Sequence, residues 1–355
     1  MRVGRIFLDR GGRVARAAQA GLGALVLGLG LLAAPAGRAA TAQAAASPLV
    51  QIQGQALDWP ELYFWLRQAA QHRQQPAGSA GPPPPADWPR LREQALAMAA
   101  QHRAIATQAA AQGLVLSADD RAGLQAQRER LRREYGSDEY ARIVIRMYGS
   151  EAMFERLAEV DLLGQRLFER LWGPHGERCT DAQVREALRA EGRVPVKLMR
   201  LNVQDEDGQP LPAQEQAARR VAMLRLAETL DALPPEAAQR RFDDEVARHG
   251  EDEAMLAEPG GRLLTRGSLG PRVDEALDTL TPGQRSGLID TGRALLLLWR
   301  LPVDPDMPIG GTGRSLRYWT AYEFLFRQQV TQWAQALPIQ ASADFAQVDL
   351  GRWLH

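Results

Sequence analysis

The sequence predicts an α+β protein, on three observations. Apolar side chains recur at helical spacing from residue 59 to about residue 191. Residues 194–203 change to an imperfect alternation, and residues 294–301 (ALLLLWRL) form the near-continuous apolar run of a central strand. In chain order this gives helices, then a β-α-α-β-α-β unit, then one last helix.

Residues 1–42 read as a signal peptide. They hold six arginines and one acid, Asp9, together with an apolar run over residues 20–34. At about 15 residues the run suits an export signal and falls short of the ~20 that span a bilayer. Pro35 breaks it, and Ala40-Thr41-Ala42 or Ala42-Gln43-Ala44 places cleavage near Ala40 to Ala44. The expected location is periplasmic or otherwise extracytoplasmic, with membrane contact only through an uncleaved signal.

A short apolar stretch and Gly54 lead to Asp58-Trp59-Pro60-Glu61, a capping-box-like helix start, and that helix runs to about Arg73. Residues 74–87 (QQPAGSAGPPPPAD) form a Pro- and Gly-rich loop. A helix over 88–112 puts Leu91, Ala95, Met98 and Ile105 on one face and stops at Gly113. Ser117 and Asp120 open the next, and two more cover 138–148 and 151–172. In the last of these, Met153, Leu157, Val160, Gly164, Leu167 and Leu171 make an apolar stripe with a glycine for close contact. Thr180 and Gln183 open a short helix to Glu191.

After the strand at 194–203, residues 205–208 turn the chain into a helix over 213–233, followed by a short helix holding Phe242 and Val246. Gly260-Gly261 precedes a short strand, residues 274–280 are helical, and Thr281-Pro282-Gly283 is a turn before the apolar strand. A Pro-rich connection leads to a helix over 315–336, with Tyr318, Tyr322, Leu325 and Trp333 on its apolar side. This helix is expected to pack back on the helical domain, leaving 337–355 as a weakly patterned tail.

Composition narrows the function. The 355 residues suffice for two modest domains, and 45% apolar content argues against disorder. Beyond residue 42 there are 37 basic and 42 acidic residues, a net charge of −5, so nucleic acid is not an expected partner. Cys179 is the single cysteine, which rules out an internal disulfide. The five histidines lack metal-ligand spacing, and neither a metal nor a cofactor is expected. Gly310-Gly311-Thr312-Gly313-Arg314 lacks the Lys-Ser/Thr of a phosphate loop and reads as a connector. Asp243, Asp244 and Glu245 read as a solvated helix face, and His249 with Asp252 and Glu253 as a solvated helix end. Trp59, Tyr63, Phe64 and Trp65 read mainly as core, although four aromatics in seven residues cannot all face one side of a helix.

Several stretches carry a family resemblance. The sequences VQIQGQALDWPELYFWLRQ and LAMAAQHRAIATQAAAQGLVLSADD, the Thr180-Asp181-Ala182-Gln183-Val184 entry, and above all residues 260–298 (GGRLLTRGSLGPRVDEALDTLTPGQRSGLIDTGRALLLL) are similar to the parvulin-type (PpiC/SurA/PrsA-like) peptidyl-prolyl cis-trans isomerase and foldase family. The resemblance implies a SurA-N-like helical chaperone domain over 48–192 plus 315–336, and one parvulin-like isomerase domain over 194–302. Rotation about an X-Pro bond faces a barrier of ~18–20 kcal/mol, which a catalyst lowers with an apolar pocket and polar groups that favour the twisted amide. The family's two facing histidines match Arg200 and Ala294 here, and its Met and Phe wall matches Leu269 and Val273. No histidine lies between His249 and the C-terminal His355, so the last-strand imidazole is missing in any register. The resemblance therefore implies a foldase or chaperone for unfolded or nascent exported polypeptides, substrate-binding through Arg200, Leu269, Val273 and Ala294, with weak or no isomerase turnover. The alternatives are an active isomerase and a tethered accessory subunit of a dedicated export or assembly system.

Overall fold

The computed structural model describes residues 48–71, 84–309 and 313–353. The expected signal peptide and cleavage site, most of the Pro-rich loop, His72, Gly310 to Thr312 and His355 lie outside the described residues. The architecture is mixed α+β, mostly helical with small antiparallel sheets. Among the described residues no helix is long and apolar enough to cross a membrane. Two compact units are present, one of the described residues up to Phe168 and from Gln328 on, the other Glu169–Arg327.

The first unit starts with the hairpin β1 (Val50–Ile52) and β2 (Gln55–Ala56), then α1 (Trp59–Gln71), α2 (Trp88–Ala111), α3 (Ala118–Tyr135), α4 (Ser137–Tyr148) and the first turns of α5 (Glu151–Trp172). The caps are those the sequence supplies. The Glu61 amide donates to Asp58 Oδ1 at 2.8 Å, and Ser117 with Asp120 closes a capping box. A stripe of small residues, Ala95, Ala99, Ala100 and Ala104, is buried on α2 and lets α1 approach. Phe64 and Trp65 are buried and meet edge to face with ring centroids 4.8 Å apart, while Trp59 and Tyr63 stay half-buried.

Gly164 has the role its place in the stripe suggests. A Cβ there would lie 3.3 Å from Ile105 Cγ2, so α5 and α2 touch at that point. Gly164→Val is expected to lower stability by about 1–3 kcal/mol through overpacking, while in Gly164→Ala a helix-propensity gain of ~1 kcal/mol offsets the crowding. Urea unfolding of the two variants checks this, and equal stability would mean the helices are not in contact there.

The tail is not unpatterned. After the last long helix, β9 (Ile339–Ala341) pairs antiparallel with β1, giving a sheet of order β2-β1-β9. Phe345 and Leu350 are buried in the same core as Leu62, Leu66 and Leu91, with Ala334 beside them. Three-residue strands and one-turn helices are too short to show periodicity, so their placement depends on this long-range pairing.

In the second unit α6 (Asp181–Ala190), grouped with the preceding helices at the sequence level, packs against the sheet strand β3 (Arg193–Asn202). Then come α7 (Ala213–Asp231), α8 (Pro235–His249), α9 (Glu253–Ala257), β4 (Arg262–Thr265), α10 (Pro271–Thr279), β5 (Ile289–Asp290) and β6 (Ala294–Arg300). The strands form one antiparallel sheet of order β4-β3-β6-β5. This adds α9 and the two-residue β5 to the expected β-α-α-β-α-β order. Alternation sorts the sheet into two faces. Met199, Leu295, Leu297 and Trp299 meet α7 and α8, whereas Val196, Leu198, Leu296 and Leu298 meet α10. With both faces covered, β6 has no polar face, which explains its apolar run.

Beyond the hairpin β7 (Pro308–Ile309) and β8 (Arg314–Ser315), the last helix is not uniform. Between α11 (Leu316–Trp319) and α12 (Arg327–Gln335) lies a π-helical stretch, Thr320–Phe326. Its wider turn shifts the buried side away from the expected Tyr318, Tyr322, Leu325 and Trp333. Leu316, Thr320, Ala321 and Phe326 are buried; the step of five from Ala321 to Phe326 falls in the i→i+5 bonded stretch, and Val330 and Ala334 resume a spacing of four. Gly176 packs here: a Cβ on it would meet Ala321 Cβ and Tyr318 Cα at 3.0 Å.

Candidate functional site

The four family positions share one face of the second unit's sheet. In the β3–β6 register Arg200 lies opposite Leu296, and Asn202 opposite Ala294. Even-numbered residues of both strands face α10, so Arg200 and Ala294 fall on the same side as Val196 and Leu298. Gly270, at φ +92°, bends the chain into α10, and Pro271 starts it. That turn brings Leu269 and Val273 into the cluster holding Ala294, Leu296 and Ile289. Val273 is 1% exposed and Ala294 2%, so these two positions are packed shut, whereas Arg200 and Leu269 keep part of their surface.

The polar half of the site comes from a gap in the sheet. β4 pairs only with the first part of β3, up to Val196. Past that point the edge of β3 is covered by the segment entering α9. The Glu251 amide donates to Arg200 O at 3.0 Å, the Asn202 amide donates to Glu251 Oε2 at 2.6 Å, and the Leu198 amide points at Met255 Sδ at 3.4 Å. This covering segment places Asp252 beside Arg200. Asp252 is 9% exposed. Its Oδ1 accepts from the Met255 amide at 2.8 Å, capping α9, and from Arg262 Nη1 at 2.7 Å. Its Oδ2 lies 3.9 Å from Arg200 Nη1, and Arg200 Nε donates to Asn202 Oδ1 at 2.8 Å.

Asp252 is thus not part of a solvated helix end, although His249 is, lying exposed beside Glu245. The legible signal was the spacing of Asp252 to Met255, an acid one step before a helix start; its partner Arg262 lies ten residues on, in another element. Asp243 also departs from the solvated-face expectation. It takes both carboxylate oxygens to Lys197 Nζ at 2.7 Å, and Lys197 is 8% exposed. A nearly buried ammonium needs this partner.

Further charges ring the same end of the sheet. Arg219 Nη1 donates to Glu251 Oε1 at 2.6 Å and to Asn202 O at 2.9 Å, and it also pairs with Glu215. Arg220 pairs with the Asp290 carboxylate, while Arg272 Nη1 donates to the Asp290 main-chain oxygen at 2.6 Å. The Gly292 amide, donating to Asp290 at 2.8 Å, and Arg220 beside it hold that carboxyl below the usual carboxylate range. No imidazole joins this face among the described residues. Cys179 lies elsewhere in the unit, and burial pushes its thiol up to about 11, which leaves it protonated at neutral pH.

The arrangement supplies hydrogen-bond donors on guanidinium groups, which do not exchange protons near neutral pH, and one buried carboxylate. It supplies no nucleophile next to a base, and among the described residues no three His, Cys, Asp or Glu side chains group closely enough to hold a metal ion. Such a site can bind and orient an amide.

Solved structures of PrsA foldases are similar to this chain. A peptidylprolyl isomerase (PrsA) from Bacillus anthracis matches at 16% identity over 67% of this chain and 93% of its own, with a TM-score of 0.26. A foldase protein (PrsA) from Lactococcus lactis matches at 14% identity over 84% of this chain and 96% of its own, with a TM-score of 0.29. The foldase protein PrsA from Streptococcus pneumoniae gives 15% identity, 73% and 81% coverage, and a TM-score of 0.27. No family model matches the chain, and no curated protein matches it. At these identities and TM-scores the likeness carries nothing about activity.

Proposed function

We propose that this chain is an exported foldase or chaperone of the parvulin kind, which binds unfolded or proline-containing segments of envelope or secreted proteins and turns over X-Pro bonds weakly or not at all. The observation that supports this most is the state of the four family positions. Two are packed shut as Val273 and Ala294, and the first histidine position carries Arg200, which presents donors but no titrating imidazole. Leu269 and Arg200 then offer the exposed contact, one apolar and one a donor to a client carbonyl. The Arg-rich start and the apolar run at 20–34 support export to an extracytoplasmic compartment, and a mature N-terminus between Thr41 and Ser47 by mass spectrometry would exclude a membrane tether.

NMR exchange measurements on a proline peptide, with and without the mature chain, test turnover, and suppression of aggregation of a reduced, unfolded client tests holding. Exchange near the uncatalysed rate together with client protection is the expected result. Exchange raised a hundredfold or more at micromolar protein would establish an active isomerase instead. Arg200→Ala is expected to weaken client binding by about fivefold, the scale of one partly exposed charged hydrogen bond. Arg200→His is the informative rescue; Ala294→His forces an imidazole into the packed cluster and confounds turnover with stability.

A further inference from the structure

Resting on the client-binding reading above, we propose that the site selects segments carrying an acidic side chain next to the proline, read by the guanidinium of Arg200. The ligand chemistry is a carboxylate flanking an X-Pro bond.

The hydrogen bonds around Arg200 carry this inference. Five guanidiniums, of Arg200, Arg219, Arg220, Arg262 and Arg272, gather at one end of the sheet. Four have a hydrogen bond or a close contact to an oxygen: Arg262 to Asp252, Arg219 to Glu251 and Glu215, Arg220 to the Asp290 carboxylate, and Arg272 to the Asp290 main chain. Arg200 differs. Only its Nε is hydrogen-bonded, to Asn202, and its two terminal nitrogens make no hydrogen bond among the described residues. Its nearest carboxylate, Asp252, stands 3.9 Å off and is already engaged by Arg262 and the Met255 amide. The Arg200 side chain is 32% exposed, and apart from that long ion pair the terminal N–H donors of its planar fork are uncommitted among the described residues.

A carboxylate is the oxyanion that matches a guanidinium fork in two parallel bonds, which a backbone carbonyl cannot do. The fork shares a sheet face with the partly exposed Leu269, which suits a segment combining a ring and an acid.

The test uses N-acetylated, C-amidated, fluorescently labelled peptides that differ only in the residue before proline: Glu, Gln or Lys. Blocked ends leave the side chain as the only source of a carboxylate. Anisotropy titrations with the mature chain at low salt are expected to give Glu about fivefold tighter than Gln and Lys weaker still, with the Glu preference shrinking toward equality at 1 M salt. Arg200→Gln is expected to weaken binding of both peptides and to bring the Glu and Gln peptides to equal affinity. Equal affinity for the three peptides in the unmodified protein overturns the acidic selection and leaves client binding standing. Binding of none of them overturns both. A Glu preference that survives both 1 M salt and Arg200→Gln also overturns the role given to Arg200, and the salt series on the unmodified protein decides the matter even where the variant is unstable.

Discussion

Phe242→Ala is expected to lower the unfolding free energy of the second unit by about 3–5 kcal/mol, the range for truncating a fully buried aromatic ring. Phe242 is 0% exposed on α8, and its ring sits 5.7 Å from that of Trp299 on β6, tilted by 57°. Met199, Met223, Leu230, Val246 and Leu297 belong to the same cluster, so the ring is the common contact of two helices and two strands. Removing it leaves a cavity that a sheet braced on its other face by α10 cannot collapse to fill. Phe242→Leu keeps most of the volume and is expected to cost under about 1.5 kcal/mol. Urea unfolding followed by hydrogen exchange of the β3 and β6 amides measures both. A loss under about 1 kcal/mol for the alanine variant would mean that this face of the sheet is not packed as described.

Acid weakens the first unit through His102. Its imidazole lies on α2 with the ring 5.4 Å from that of Trp65, and its Nε2 is buried with no hydrogen-bond partner among the described residues. Burial first, then the charges of Arg103 and Arg156, hold its pKa down to about 4. In the unfolded chain the same group titrates near the ordinary value of about 6.5. Between these values the unfolded chain binds the proton and the folded one does not, so stability rises with pH. The contribution is fully present above pH about 6.5, falls as the pH drops through that window, and is gone by about pH 4, a total on the order of 3 kcal/mol. His102→Leu removes the titrating group, and its unfolding free energy is expected to lose up to one proton's worth of slope between pH 6.5 and pH 4 relative to the parent chain. Parallel pH curves for the two proteins, from urea titrations at half-unit steps, would place His102 in water rather than in the core.

Much of the secondary structure is local and was legible. Thr180 and Gln183 close a capping box as their spacing requires, Gly164 marks a helix contact, and the 294–301 run is the central strand. The π-helical turn was not legible, because the five-residue step from Ala321 to Phe326 mimics a broken α pattern. The short strands β5 and β9 were not legible either, since two or three residues carry no period and exist only because a partner strand is there. The candidate site divides along the same line. Arg200 and Ala294 stand on one face because strand alternation is a property of the backbone, and Leu269 with Val273 follows from the Gly270-Pro271 turn. The placement of Asp252 depended on which stretch of chain covers the free edge of β3.

By itself, the sequence determined where the helices begin, which strand residues share a face, and that no histidine is available for the last strand, since each of these depends only on neighbours along the chain. The tertiary structure decided that Val273 and Ala294 are closed off, that Asp252 is hydrogen-bonded by Arg262 and stands only at 3.9 Å from Arg200, and that the terminal nitrogens of Arg200 make no hydrogen bond among the described residues. These depend on contacts between residues from different elements, and burial and ion pairing are set by the sum of such contacts rather than by any local pattern.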